Sequence, residues 1–234
     1  MFGHRSNPSG HGSPAGTRGL RSFPGDHHRL PREVIIGGTG DAAATLTAAK
    51  QDLRRRILAA RAELTEPQRA QAGRRLRDAV LDLPQTQMAG TVAAYYSVGT
   101  EPPTRGLVYA LWKRGAYVLL PRSRPGGKLG WASFEGPDSM APAEHGLLEP
   151  VQPATAAITS ADLVIVPALA ADRRGNRLGR GRGYYDRALP LVGPLIPTIA
   201  LLYDGELLDE LPAGPLDHPV RMAAQPATGV TLVG

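Results

Sequence analysis

Residues 176–186 read Asn-Arg-Leu-Gly-Arg-Gly-Arg-Gly-Tyr-Tyr-Asp. Glycines at 179, 181 and 183 alternate with Arg180 and Arg182, and Asp186 closes the run. The chemistry that suits such a segment is anion binding. Glycine lets backbone N–H groups approach a phosphate, and arginine adds charged donors. Asp186 contributes a carboxylate able to hold a hard metal ion. Neither familiar nucleotide loop is present. The spacing Gly179-x-Gly-x-Gly183 differs from the dinucleotide fingerprint, and Gly126-Gly-Lys-Leu129 lacks the hydroxyl and spacing of a Walker sequence, so it reads as a hairpin or loop. A second reading of the Arg-Gly run is nucleic-acid binding, with arginines on phosphates and tyrosines stacked on bases. Such segments are usually repeated and unstructured, whereas this one is single and lies between a buried strand and a helix.

Other chemistry-bearing residues are sparse. Lys50 and Arg54 are four apart and share a helix face. With Arg55, Arg56 and Arg61 nearby they read as a solvated face, or else as a pair reaching phosphates held by the glycine loop. Glu101 follows a strand end and precedes a helix, where a carboxylate suits the helix dipole. Asp172 and Asp204 read as turn residues. Of six histidines only His145 and His218 lie beyond residue 28. Two cannot build a multi-histidine zinc site, and a Ser-His-Asp triad would need one of them in a loop context, so both read as surface loop residues.

These residues need elements to position them. Residues 42–61 form a helix with Leu46, Leu53, Ile57 and Leu58 as its apolar stripe. Thr65-Glu-Pro-Gln68 is a capping box opening a second helix through Val80. Strands follow at 91–96, 116–121, 129–134 (more exposed), 162–166 and 197–202, with a helix at 104–114 stopped by Gly115. The segment 219–233 offers one or two short edge strands. Short apolar strands separated by helices predict a three-layer α/β/α domain with a mostly parallel sheet, spanning residues 42–234 as a single domain. Ligands in such folds sit beyond the carboxyl ends of the strands, here residues 96–101, 121–124 and the glycine loop.

Residues 1–41, rich in Gly, Pro, Ser, His and Arg, read as a disordered extension, and the glycine cluster at 37–40 as linker. The chain of 234 residues is 42% hydrophobic and 21% charged, as for an ordinary globular protein. It has no cysteine, which excludes disulfides, thiolate metal sites and thiol nucleophiles and suits a reducing cytoplasm. No apolar run has bilayer-spanning length, and no secretory signal is seen, so no membrane partner is expected. The net charge of +6 would admit nucleic acid, but five arginines against Asp26 and Glu33 put half of it in the first 40 residues. The rest is close to the arginine load of the loop, which suits acidic small molecules at least as well.

The segment 172–187 resembles the signature of the 5-formyltetrahydrofolate cyclo-ligase (5,10-methenyltetrahydrofolate synthetase) family. The motif order agrees: Lys-x-x-x-Arg (Lys50, Arg54), a Glu and Thr after a strand (Glu101, Thr104), and Gly-x-x-Glu-Pro at 146–150. The resemblance runs from Thr47 to the C-terminus. It implies a cytoplasmic monomer that uses ATP to close 5-formyltetrahydrofolate to 5,10-methenyltetrahydrofolate. It further implies an ATP site formed by Lys50, Arg54, Arg177, Leu178, Gly179, Arg180, Gly181, Arg182, Gly183, Tyr184 and Tyr185. The folate would meet Tyr96, Glu101 and residues 180–184, and Mg2+ would be held by Asp186 and Asp217. Two departures stand out. The family usually follows its Glu with Val-Asp-Thr, where this chain has Glu101-Pro-Pro-Thr104, and its Pro-x-Glu-x-x-Asp pattern is reduced to Pro212-Ala-Gly-Pro-Leu-Asp217. A non-catalytic RNA-binding relative and a phosphosugar isomerase are the rival readings; no base suited to the latter stands out.

Overall fold

The computed structural model describes residues 39–234, so residues 1–38 of the expected extension lie outside the described residues. Helix α1 spans Thr39–Ala62, opening three residues ahead of the expected start. Its run of Ala, Leu, Arg, Gln and Lys consists of strong helix formers. Helix α2 (Glu66–Leu81) opens on Thr65, whose backbone N–H donates to Gln68 Oε1 at 2.8 Å, as the capping sequence predicts. Short α3 (Pro84–Met88) leads into β1 (Thr91–Ala93). Helix α4 (Arg105–Lys113) buries Leu107, Val108 and Leu111, and β2 (Tyr117–Arg124) and β3 (Lys128–Ser133) form a hairpin. A two-stranded ribbon follows, β4 (Met140–Pro142) with β5 (Leu148–Pro150).

The remaining strands are β6 (Leu163–Pro167), β7 (Ala170–Asp172), β8 (Arg177–Leu178), β9 (Thr198–Leu201), β10 (Leu207–Leu208), β11 (Met222–Gln225) and β12 (Gly229–Leu232). Short α5 (Tyr184–Ala188) lies between β8 and β9. The main sheet has the order β12-β11-β9-β6-β1-β2-β3, parallel from β11 to β2 with an antiparallel strand at each edge. Residues 39–234 fall within one compact unit. No helix among the described residues is long and apolar enough to cross a membrane.

Alternate residues of the central strands feed opposite faces. Leu163 and Ile165 of β6 join Val92, Ile199 and the inner faces of α2 and α4 in one core. Val164 and Val166 join Ala93, Leu119, Trp131 and Leu189, the last beside α5, in the other. Burial on both faces is why β6 reads as an unbroken apolar run rather than an alternating one. The tail strands depart from expectation: β11 is an interior strand, buried throughout, and only β12 is an edge. Its Met-Ala-Ala-Gln sequence is too short and too weak in β-branched residues to signal a buried strand.

The order of strands locates a crevice. From β1 the chain passes through α4 to β2 on one side, and the later parallel strand β6 lies on the other. The sheet therefore switches direction between β1 and β6, and the loops leaving them diverge to open a cleft. A smaller sheet, β10-β7-β8, stands beyond those strand ends. Helix α1 packs on it through Leu53, Ile57 and Leu58 against Leu169, Leu178 and Leu211.

Candidate functional site

The glycine loop is fed by β8, not directly by the buried strand β6 as the sequence suggests. Between them a tight hairpin turns back, with Leu169 N–H donating to Leu178 O at 2.7 Å. Asp172 fixes the hairpin. Its Oδ1 accepts from the N–H groups of Arg174 and Asn176, and its Oδ2 from the Asn176 amide and Leu211 N–H, all at 2.8–3.0 Å. It is fully buried, so the expected turn residue is also the anchor of the loop's entry. Gly181 has φ +100, and a Cβ there would lie 3.5 Å from the Arg54 guanidinium carbon. Glycine is thus favoured by the backbone conformation, while the Arg54 side chain lies at ordinary contact distance. Helix α5 beyond the loop has only five residues, so the anion-binding capacity lies in the loop itself rather than in a long helix.

Every residue expected from the sequence for ATP, folate or metal lines one cleft of about 440 Å³. One wall is α1. Lys50 Nζ meets Asp217 Oδ2 at 2.5 Å, and Arg54 donates from Nε to Gly179 O at 2.8 Å. The opposite wall is the turn after β1. There Glu101 accepts from Val98 N–H through Oε2 and meets Arg180 Nε through Oε1 at 3.2 Å. Tyr96, Gly179, Gly181, Arg182, Gly183 and Tyr184 also face the cleft. Arg177 and Leu178 line it too but are mostly core. Arg177 is 5% exposed, paired to Asp186 Oδ1 at 2.6 Å and set over the Tyr185 ring.

Burial shapes the electrostatics. Desolvation raises the Glu101 carboxyl above the ordinary range, against the pull of Val98 N–H and Arg180. Desolvation likewise raises the Tyr185 phenol, so it stays protonated, and lowers the Arg177 guanidinium against the attraction of Asp186. His218 is lowered by burial and by Arg177, in keeping with a neutral loop residue.

The two prolines after Glu101 are accommodated without loss. Thr104 closes the turn, donating from Oγ1 to Tyr95 O at 2.7 Å and accepting from Ser97 N–H at 2.9 Å. Pro103 packs on Gly73 of α2, where a Cβ would come within 2.9 Å of it. Glu101 keeps its place in a buried turn despite the changed sequence.

Sequence reasoning missed the floor of the cleft. Arg61, read with its neighbours as solvent-facing, is 1% exposed. It makes a two-point ion pair with Glu206 at 2.7 Å for each bond, donates to Ala168 O at 2.7 Å, and sits over Tyr203. Its place two turns beyond Arg54 on the same face was the available signal. Glu149, in the Gly-x-x-Glu-Pro segment, also lines the cleft and accepts from Ser123 N–H.

Magnesium is usually bound by one or two carboxylates together with phosphate oxygens and water. Asp186 engages Arg177 through Oδ1 alone, and Asp217 engages Lys50 and Gly214 N–H through Oδ2 alone. Each carboxylate keeps an oxygen with no protein hydrogen bond, so the donor set fits such an ion. The missing Glu of the reduced C-terminal pattern leaves Asp217 still facing the cleft.

Residues 46–226 match the model of the 5-formyltetrahydrofolate cyclo-ligase family. A 5-formyltetrahydrofolate cyclo-ligase of Mycolicibacterium smegmatis is 43% identical over 147 residues, covering 60% of this chain and 75% of the relative. One from Haemophilus influenzae is 32% identical over 181 residues, covering 74% and 96%. The solved structure of Aquifex aeolicus 5,10-methenyltetrahydrofolate synthetase matches with a TM-score of 0.69 at 27% identity, covering 78% of this chain and 92% of that one.

Proposed function

The chain belongs to the 5-formyltetrahydrofolate cyclo-ligase family, and we propose that its cleft closes 5-formyltetrahydrofolate to 5,10-methenyltetrahydrofolate, turning ATP into ADP and phosphate. The observation that carries the reading is the Arg180–Glu101 contact, which puts an anion-binding loop and a desolvated carboxylate in one cleft. The formyl oxygen attacks the γ-phosphorus, and the bond from that phosphorus to the β,γ-bridging oxygen breaks as ADP departs. N10 then attacks the activated carbon, the carbon–oxygen bond to phosphate breaks, and the N10 proton passes to solvent.

Phosphoryl transfer of this kind asks the protein for position and charge more than for a nucleophile. Lys50, Arg54, Arg180 and Arg182 supply the charge, and the backbone of residues 179–183 supplies donors. Arg177 and Leu178 hold the loop's entry, with Arg177 orienting Asp186. Lys50 exchanges Asp217 for a phosphate oxygen, and Arg180 releases Glu101 to accept from pterin ring N–H groups. Tyr96, Tyr184 and Tyr185 border the two substrates. Asp186 and Asp217 would hold Mg2+, which when bound neutralises phosphate charge. We assign the reaction to the cytoplasm, in keeping with a chain that lacks cysteine.

Mixing purified protein with 5-formyltetrahydrofolate and Mg-ATP should produce the near-ultraviolet absorbance of the methenyl product. A folded preparation giving no signal that depends on both substrates would sink the reading.

A further inference from the structure

Buried polar atoms in native proteins nearly always have partners, and those that lack one within the protein mark places for a ligand, an ion or a bound water. Among the described residues, three of the four such side-chain atoms belong to residues lining the cleft: Arg61 Nη1, Arg177 Nε and the Tyr185 hydroxyl. Arg61 is the most constrained. Glu206 takes its Nε and Nη2, and Ala168 O takes Nη2 again, which leaves Nη1 alone without a partner. Glu206 in turn is fixed by Tyr203 N–H at 2.7 Å, and the Tyr203 hydroxyl donates to Glu101 O at 3.2 Å.

Tyr203 links Arg61 to Glu101: the Arg61 guanidinium lies 5.3 Å from the centre of its ring, and its hydroxyl donates to Glu101 O. Arg61, Glu101 and Tyr185 all line the cleft. Together they present one carboxylate acceptor and two donors. A ring bearing N–H groups next to a carbonyl oxygen matches this set, and a ring with an amino group in place of the carbonyl does not.

We propose that Arg61, fixed by Glu206, is a specificity-determining residue that donates from Nη1 to the ring-carbonyl oxygen of the substrate's heterocycle, with the Tyr185 hydroxyl as second donor. The inference rests on the folate reading above. Glu206 is a positioning residue for Arg61. A tyrosine phenol is a donor throughout the neutral range.

Two variants test this under saturating Mg-ATP, with 5-formyltetrahydrofolate compared with its 4-amino counterpart. Arg61→Lys keeps a cation for Glu206 but has no second nitrogen to spare. Tyr185→Phe removes only an oxygen that has no protein partner, so its thermal midpoint should hold or rise. In each variant the preference for the 4-oxo substrate should fall by about tenfold or more, the worth of one charged or buried hydrogen bond. The folate KM should rise in both, and in Arg61→Lys the ATP KM should stay within about twofold. A folded Arg61→Lys protein with the wild-type preference overturns the assignment of Arg61, and an unchanged folate KM in Tyr185→Phe overturns that of Tyr185. Should Arg61→Lys fail to fold, Arg61→Gln with Glu206→Gln, whose amides can satisfy each other, takes its place under the same criterion. A wild-type protein that forms no methenyl product sinks the folate reading itself. A productive wild type with unresponsive variants sinks only this inference.

Discussion

Arg54 and Arg61 stand two turns apart on one face of α1, yet the two ends of that face do different work. At the outer end Lys50 and Asp217 are each 16% exposed, and Arg54 spends one nitrogen on a loop carbonyl. At the inner end Arg61 and Glu206 are 1% and 5% exposed and doubly bonded. Water reaches the outer pair, so a phosphate can replace Asp217 on Lys50 at small cost. No solvent reaches the inner pair, and breaking it would strand a charge in the core. The same helix face thus carries a charge whose partner a ligand can replace at its outer end and a charge held by a fixed partner at its inner end, graded by depth.

Removing Arg61 should break the comparison most severely. Arg61→Ala leaves Glu206 buried and unpaired, and should lower stability by about 3–5 kcal/mol. Urea denaturation would measure it, and a loss below about 1 kcal/mol, the scale of an exposed pair, would put both ends of the helix in one class. Arg180→Ala is the counterpart at the ligand-facing side. Its side chain is 45% exposed and its pairing to Glu101 is a single contact at 3.2 Å. Turnover should fall by about 10²–10³, the worth of a lost donor to developing charge, while the thermal midpoint hardly moves. Unfolding of this variant would show that the loop arginine is structural.

What could be read from the sequence follows the same divide. The glycine loop is contiguous, so its chemistry is written in eleven adjacent residues. Arg61 is invisible in that way because its partner Glu206 lies 145 residues further along the chain. An arginine among arginines reads as a solvated face; the seven-residue spacing from Arg54 is a weak signal, and the packed structure shows that this one turns inward. The interior position of β11 was hidden for a related reason, since pairing with β9 is a tertiary fact that four weakly patterned residues do not announce. Glu101 could be read from its place between a strand end and a helix; that the turn's hydrogen bonds run through Thr104 and Ser97, past the two prolines, is visible only in the structure.

A milder change sharpens the contrast at the outer end. Lys50→Ala should raise the ATP KM by about tenfold, a single charge–phosphate contact, with a stability change under about 1 kcal/mol because the pair with Asp217 is partly solvated. Steady-state kinetics with varied ATP and a parallel melt would separate the two. An unchanged ATP KM would mean that Lys50 serves Asp217 rather than a nucleotide.

The smallest expected effect concerns Glu101, which sits between the two classes: 9% exposed, yet facing the ligand. Burial raises its folded carboxyl above the ordinary glutamate value, with Val98 N–H and Arg180 opposing. Across the window between those two values the folded protein holds a proton that the unfolded chain has lost. Stability from this group is therefore greatest below the unfolded value, falls as pH rises through the window, and is level above it. Glu101→Gln keeps an acceptor for Val98 N–H and removes the titration. The variant should match the wild type near the ordinary glutamate value and become the more stable of the two toward neutral pH. Subtracting urea midpoints across that range cancels Glu206, which burial also raises and which titrates in both proteins. A variant less stable than wild type at neutral pH would mean that the Arg180 contact outweighs desolvation, placing Glu101 with the fixed charges of the floor.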